Sequence, residues 1–280
     1  MKNNNFIERS LLGALNFFKE SIFSEEFALR QGFLQSIDPR IKTLTILLFL
    51  VAVLFIKNIQ LLIYLYLFCL LLVLLSKIKL GFFLKRTWIF IPLFSLFIAI
   101  PALFSIFSPG EPLLSFRIFG AKLMITRQGL AAAALFVMRV LTSVSFVILL
   151  GLTTRHFELL RVLRIFRIPQ VFVMTLGMCY RYIYLFVETV ENTYLAIKSR
   201  VGTNLHYKHG QKIVGWRIAS LWQRSVQLNN EVYNAMLSRG YTGEPRILEE
   251  FRVNAKDWAW AICAVIICSL IVYLNGKYNL

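Results

Sequence analysis

Two serine–arginine pairs carry the most specific chemistry in this sequence. One pair begins the tripeptide Ser199–Val201, and the other begins Ser238–Gly240, 39 residues further along the chain. Each pair ends a helical pattern near a glycine, a residue that often caps a helix C-terminus. A single arginine there would simply complement the helix dipole. Two similar ends predict docking into two similar sockets, because a guanidinium group fits a carboxylate, and the partner would carry repeated acidic sites, as a dimer does.

Metal-binding and catalytic chemistry find little support. His206 and His209 have a spacing that could hold a metal ion, but they lie in a basic connection without a supporting carboxylate or cysteine, and two histidines make an incomplete site. Glu111 is the sole acid between residues 43 and 152, so no carboxylate pair is available for acid–base catalysis. The chain has no GxxxxGK[ST] nucleotide-binding loop. We therefore expect no catalytic residue, no metal and no cofactor in this chain.

Two further arginines stand inside apolar stretches. Arg139 lies in the middle of one, and Arg181 lies in another, among Tyr180, Tyr182 and Tyr184. A charged side chain is costly in the bilayer and should face the interior of the helix bundle or a partner. Tyrosine rings and hydroxyls offer contacts to Arg181. Both residues are candidates for a coupling or a structural role, and the sequence leaves the choice open.

The composition indicates the class of protein that positions these residues. Of 280 residues, 58% are hydrophobic and only 16% are charged, yet the formal net charge is +17. A soluble domain would be more polar, a disordered polycation would lack the 25 phenylalanines, and four cysteines are too sparse for a disulfide scaffold. An integral membrane protein with basic water-facing parts remains.

Hydropathy and turn signals divide the chain into four parts. Residues 1–37 read as an amphipathic N-terminal helix, 38–152 as four transmembrane helices, 153–257 as a cytoplasmic module, and 258–280 as a last transmembrane helix. Lys42 is expected to snorkel, residues 76–87 to form a basic loop, and residues 108–128 to form a long connection. The five predicted spans are Ile41–Ile56, Ile59–Leu75, Trp88–Phe107 (with kinks at Pro92 and Pro101), Leu130–Leu152 and Trp258–Leu274.

The distribution of basic residues predicts the orientation of the chain in the membrane. With the N-terminus in the cytoplasm, 25 of the 31 lysines and arginines fall on the cytoplasmic side. Within 153–257 the pattern predicts a short basic helix over His156–Arg167 and two long helices, Gln170–Arg200 and Gln211–Arg239. The second long helix is apolar on two faces, as in a helix packed between partners. Residues 171–187 are apolar enough to suggest a crossing, which the charge bias opposes, and we interpret them as a tilted helix half in the membrane.

The sequence resembles the transmembrane T component of energy-coupling factor (ECF) transporters, of the CbiQ type found in cobalt uptake systems. The most specific stretch is the last, where Ser238–Gly240 stands for the usual Ala-Arg-Gly and keeps its arginine. The matching stretches are Phe6–Arg9, Asp38–Arg40, Pro109–Pro112, Thr126–Gly129, Tyr180–Tyr182, Lys198–Arg200, and Ala235–Tyr241 with Gly243-Glu244.

The resemblance implies an all-α, L-shaped polytopic protein in a prokaryotic cell membrane. About five transmembrane helices would be joined to long cytoplasmic coupling helices. Two ATP-binding-cassette (ABC) ATPase subunits would bind the ATP, and a substrate-binding S component would sit on the coupling helices. The residues implied to dock on the ATPases are Ser199, Arg200, Val201, Ser238, Arg239 and Gly240.

Cobalt or nickel is the cargo that this resemblance favours. A shared T component serving vitamin-specific S components is the alternative within transport. Two alternatives from other classes are a membrane enzyme acting on phosphorylated lipid, which lacks an acid–base constellation, and a plain membrane scaffold. The basic residues are explained by topology and contact with lipid, and no nucleic-acid reader motif is present.

Overall fold

In the computed structural model the described residues are 13, 28–30, 32–88, 91–101, 112–118, 121–201, 207–243 and 254–278. The chain forms two compact units. A bundle unit comprises Ser24–Val162 and Phe251–Leu280, and an arm unit comprises Met1–Phe23 and Leu163–Glu250. The all-α class is confirmed, although one small β-hairpin is present. The predicted N-terminal helix lies almost wholly outside the described residues.

The bundle unit is built from apolar helices with local caps. Asp38 begins α1 as predicted, because its carboxylate accepts a hydrogen bond from the N–H of Arg40 at 2.8 Å and Pro39 fits the first helical position. Asn58 caps α2 through the N–H of Gln60 at 3.1 Å. The helices are α1 (Pro39–Phe55), α2 (Ile59–Leu75), α3 (Leu80–Trp88), α4 (Ile91–Ala99), α5 (Arg127–Thr153), α6 (His156–Val162) and α9 (Ala255–Tyr278).

Helix α5 lies at the centre of the bundle unit and packs against α1, α2 and α4. The Phe49 ring of α1 stacks on Phe146 of α5, with ring centroids 5.2 Å apart, and also packs against Phe68 of α2. Many large apolar side chains of α2 and α9 remain exposed, as expected of helices that contact lipid.

Polar contacts at the two ends of α1 define the direction of its neighbours. At its start, the N–H of Asp38 donates to Asp257 of α9, and Lys42 donates to the carbonyl of Thr153, the last residue of α5. At its end, the carbonyl of Phe55 accepts from Asn275 of α9. Helix α9 therefore runs parallel to α1, and α5 runs antiparallel to it.

The third predicted span and the basic loop before it were wrong in their boundaries. The helix that contains Trp88 begins at Leu80, because Phe83 and Thr87, one turn apart, are both buried against the bundle. Residues 89 and 90 lie outside the described part of the chain, and beyond them α4 runs from Ile91 to Ala99. It ends before Pro101, since a residue preceding proline disfavours helical backbone. The rest of the predicted span, residues 102–107, lies outside the described residues.

The predicted connection of residues 108–128 contains a β-hairpin. Strand β1 (Pro112–Ile118) pairs antiparallel with β2 (Ala121–Thr126), in a register that opposes Ile118 to Ala121. Thr126 then caps α5, its hydroxyl accepting from the N–H of Gly129 at 3.1 Å. The hairpin thus leads directly into the central helix.

The arm unit contains two helices of 32 residues each. Helix α7 spans Gln170–Val201, as predicted, and follows a 3-10 turn at Leu163–Phe166. Helix α8 spans Tyr207–Ser238 and begins four residues earlier than predicted. By length and composition, three described helices could cross a membrane, over Arg127–Thr153, Gln170–Thr193 and Ala255–Lys277.

Candidate partner-docking site

The end of α8 presents Arg239 on a tightly defined turn. The N–H of Gly240 donates to the carbonyl of Leu237 at 3.0 Å, and the N–H of Tyr241 donates to that of Met236 at 3.1 Å. Gly240 has φ +80°, so these bonds form a Schellman motif with Gly240 in the left-handed conformation. Arg239 is the residue just before it and is exposed. The predicted glycine-capped helix end is therefore present here.

The end of α7 resembles the end of α8 in its side-chain bonding. The Ser199 hydroxyl donates to the carbonyl of Ala196, and the Ser238 hydroxyl donates to that of Ala235, each at 3.0 Å. Each hydroxyl therefore bonds to the backbone of its own helix, three residues back. Arg200, like Arg239, is exposed. Gly202 and the side chain of Val201 lie outside the described part of the chain.

The two arginines stand far apart within the arm unit. The Tyr241 hydroxyl lies 3.5 Å from the sulfur of Met174, near the start of α7, so the end of α8 lies beside the start of α7. Arg200 lies 26 residues beyond Met174 on the same helix. At 1.5 Å per residue, roughly 40 Å of helix axis separates the two arginine-bearing ends. They cannot enter one socket together.

Helix α8 keeps one of its two predicted apolar faces open. On one face Leu221, Ser225, Leu228 and Val232 are half-buried, whereas Ala235, which continues the same helical spacing, is exposed. On the other face Trp222 is 75% exposed, and nearby Trp216 is 77% exposed. Large apolar side chains so open to water mark a surface that contacts a partner or lipid.

Arg139 and Arg181, the two arginines of apolar stretches, have different surroundings. Arg139 of α5 donates through Nη2 to the carbonyl of Ile56 at 2.8 Å, where α1 ends, while its buried Nε has no hydrogen-bond partner among the described residues. Arg181 is exposed on α7. The neighbouring Tyr180 and Tyr184 rings pack edge to face, with centroids 5.1 Å apart and their hydroxyls hydrogen bonded.

Sequence reasoning missed a set of buried polar contacts at the start of α1. We expected Lys42 to snorkel, but its side chain is 1% exposed and its ammonium group lies inside the bundle unit. Asp257 is buried as well and accepts from the N–H groups of Asp38 and Asn254. Trp260 donates to the Thr45 hydroxyl at 3.0 Å. No local signal predicts these contacts, because they join residues far apart in sequence.

Comparison with known proteins places these features in a family. A family model described as CbiQ, cobalt transport protein, matches residues 31–249. The chain belongs to the CbiQ family of cobalt transport proteins. The family is one of transporter membrane components, so the resemblance drawn from the sequence is confirmed.

Individual relatives agree with this membership. An uncharacterized protein of Methanocaldococcus jannaschii is 33% identical over 273 residues, which cover 98% of this chain and 93% of that protein. The energy-coupling factor transporter transmembrane protein EcfT of Streptococcus thermophilus is 29% identical over 261 residues, covering 86% of this chain and 94% of the relative. A second M. jannaschii protein, also uncharacterized, is 27% identical over 165 residues.

The part of the chain that matches the CbiQ family includes both serine–arginine ends, Arg139 and Arg181. Membership in a cobalt transport family renews the question of a metal site. Across the described ranges no three His, Cys, Asp or Glu side chains come together as a metal site would require. His206 and the side chain of His209 fall outside those ranges.

Proposed function

We propose that this chain is the transmembrane coupling subunit of an ECF-type importer. Arg200 and Arg239 would each dock on one of two ABC ATPase subunits, and an S component would bring the substrate. ATP is bound and hydrolysed by the ATPases, so this chain performs no chemistry of its own. The motion that ATP binding produces in them passes through α7 and α8 to the S component, which releases its cargo inside the cell.

The observation that carries this proposal is the separation of the two helix ends. Both arginines are exposed at the ends of long helices, and roughly 40 Å of helix lies between them. Equivalent grooves on two copies of one subunit would be spaced on that scale, whereas two grooves on one small domain would not. The repeated Ser-Arg ends therefore favour a dimeric partner.

The contacts of the bundle unit support a cytoplasmic arm. Helix α5 ends beside Lys42 and α9 begins beside Asp38, so the chain leaves and re-enters the bundle at the same end. If α7 crossed the membrane, α8 would have to cross back. Helix α8 is too polar to be a candidate span among the described helices. Together with the basic residues of 153–257, this favours a cytoplasmic N-terminus and a cytoplasmic arm in a prokaryotic cell membrane.

Cobalt, or nickel, is the cargo we propose, because the family is described as one of cobalt transport. The alternative is a shared coupling subunit for vitamin-specific S components, which the similarity to EcfT of S. thermophilus favours. The open tryptophan face of α8 suits either kind of S component. Identification of the S component that co-purifies with the chain separates the two.

The docking role is tested by reversing both charges. The double variant Arg200→Glu, Arg239→Glu should stay in the membrane at normal levels but lose the co-purifying ATPases and substrate uptake, because glutamate repels acidic sockets. The matched control is Arg217→Glu, Arg224→Glu, which makes the same charge change on exposed positions of α8. Wild-type uptake in the first variant, or equal loss in both variants, would refute specific docking by these two arginines.

A further inference from the structure

The buried Lys42 ammonium group lies inside the bundle unit, at the joint between α5 and α6. Its Nζ donates to the carbonyl of Thr153, the last residue of α5, and to the carbonyl of Leu34, both at 2.9 Å. Beyond Thr153, only Thr154 and Arg155 precede α6, and the arm unit starts at Leu163. Only two residues therefore separate the contact at Thr153 from the start of the next helix.

The charge of Lys42 supplies what the end of α5 lacks. Helix α5 has no basic residue in its last turn, so the negative end of its dipole has no cation of its own. Lys42 of α1 provides that cation from a different helix.

The other acceptor of Lys42 belongs to a segment that holds a second helix end. Leu34 begins a 3-10 turn that ends at Ser36. The N–H of Phe33 donates to the carbonyl of Leu75, and Gln35 Nε2 donates to that of Ser76, where α2 ends. The Phe33 ring packs edge to face on Trp260 of α9, 5.6 Å between centroids. Through Leu34, Lys42 joins the end of α5 to the end of α2 and to the first turns of α9.

The two bonds of Lys42 resist opening of the connection between α5 and α6. An uncharged side chain in its place would leave two buried carbonyl oxygens, those of Leu34 and Thr153, without a donor, and this costs free energy at that point of the fold. After α6, the next part of the chain is the arm unit.

We propose that Lys42 is a positioning residue for coupling: it holds the α5–α6 joint to the ends of the other helices, so that movement of the arm moves the bundle unit with it. This inference rests on the proposed function for the coupling step and on the contacts above for the joint. Without Lys42, the arm would move while the joint bends, and the motion would be lost there.

The first test uses the purified full-length chain in lipid nanodiscs and needs no partner. Hydrogen exchange at the backbone amides of residues 154–162 should be about tenfold faster or more in Lys42→Met, because two charge-assisted bonds are lost. Lys42→Arg, which keeps the charge and several donors, should restore slow exchange. The control Lys57→Met removes an exposed lysine at the other end of α1 and should change nothing. Unchanged exchange in Lys42→Met would overturn the inference.

The second test uses the transporter reconstituted with its ATPases. Lys42→Met should keep the ATPases bound and hydrolysing ATP, while uptake per ATP hydrolysed falls about fivefold or more. Equal loss of uptake and ATP hydrolysis would reduce Lys42 to a structural residue. If the wild-type chain binds no ATPase, the proposed function fails and the coupling role fails with it, whereas the exchange measurement still decides whether Lys42 holds the joint.

Discussion

At the scale of single residues, a guanidinium group from the middle of α5 takes the place of a cap for α1. Arg139 reaches the carbonyl of Ile56, and Asn275 of α9 binds both the carbonyl of Phe55 and the N–H of Lys57. The last turn of α1 has no basic residue of its own. The turn between α1 and α2 is thus held from two other helices. The sequence left the role of Arg139 open between coupling and structure, and this contact favours structure.

Removing this guanidinium group should destabilise the bundle unit without uncoupling transport. We expect Arg139→Ala to cost about 2 kcal/mol, because a partly buried charge-assisted hydrogen bond is lost. Thermal unfolding in detergent measures the change, and Arg181→Ala, which truncates an exposed arginine on α7, is the control. An Arg139→Ala chain that unfolds at the wild-type temperature but fails to transport would show that the residue serves coupling instead.

At the scale of elements, the end of α8 depends on one glycine. With φ +80° at Gly240, a Cβ atom would strain the backbone even though no neighbouring atom lies within 4 Å. Gly215 in the same helix has equally open space but lies in ordinary helical backbone, where alanine is favoured. One substitution should therefore have opposite effects at two positions of α8.

Gly240→Ala should loosen the turn that presents Arg239 and weaken ATPase binding about fivefold, for a strain of about 1 kcal/mol. Gly215→Ala should stabilise α8 by up to about 1 kcal/mol and leave ATPase binding unchanged. Pull-down titrations and circular dichroism melting of the two variants measure both effects. Equal binding by both variants would mean that the Schellman turn does not position Arg239.

The elements also show what can be predicted from sequence. The Asp38 cap, the bounds of α7 and the glycine-capped end of α8 follow from residues within one or two turns of each other, and all three predictions were correct. Burial of Lys42 depends on the carbonyl of Thr153, 111 residues away. In the sequence, the long stem of Lys42 and its apolar neighbours are compatible with a snorkelling ammonium group and with a buried one. Only the packing of α5 against α1 decides between the two.

The third span shows a different limit. A continuous apolar run from Trp88 to Phe107 has the length of a crossing, and hydropathy does not register that Phe83 and Thr87 extend a helix backwards into the basic segment. The helix period of those two buried positions was the available signal. Four basic residues lie around these two positions and obscured that helical spacing, so we interpreted residues 76–87 as a loop.

At the scale of the whole molecule, the orientation of the arm can be measured directly. In a chain whose four cysteines are replaced by alanine, a cysteine placed at Ser238 should react with an impermeant maleimide only in inside-out vesicles. A cysteine placed at Lys57 should react only in right-side-out cells, because it lies at the opposite end of α1. Both sites are exposed in the chain. Labelling of both from the same side would contradict the proposed topology.

The parallel pairing of α1 with α9 has a consequence for biosynthesis. Asp257, which accepts a hydrogen bond from Asp38, is synthesised 219 residues later, and Asn275, which donates to Phe55, is synthesised 220 residues later. At about 5–20 residues per second, a ribosome needs on the order of ten seconds or more between those points. Throughout that interval α1 lacks its partner helix, while residues 163–250 of the arm unit are synthesised. A nascent chain stalled before residue 255 should therefore expose the α1 surface to chaperones and to membrane proteases.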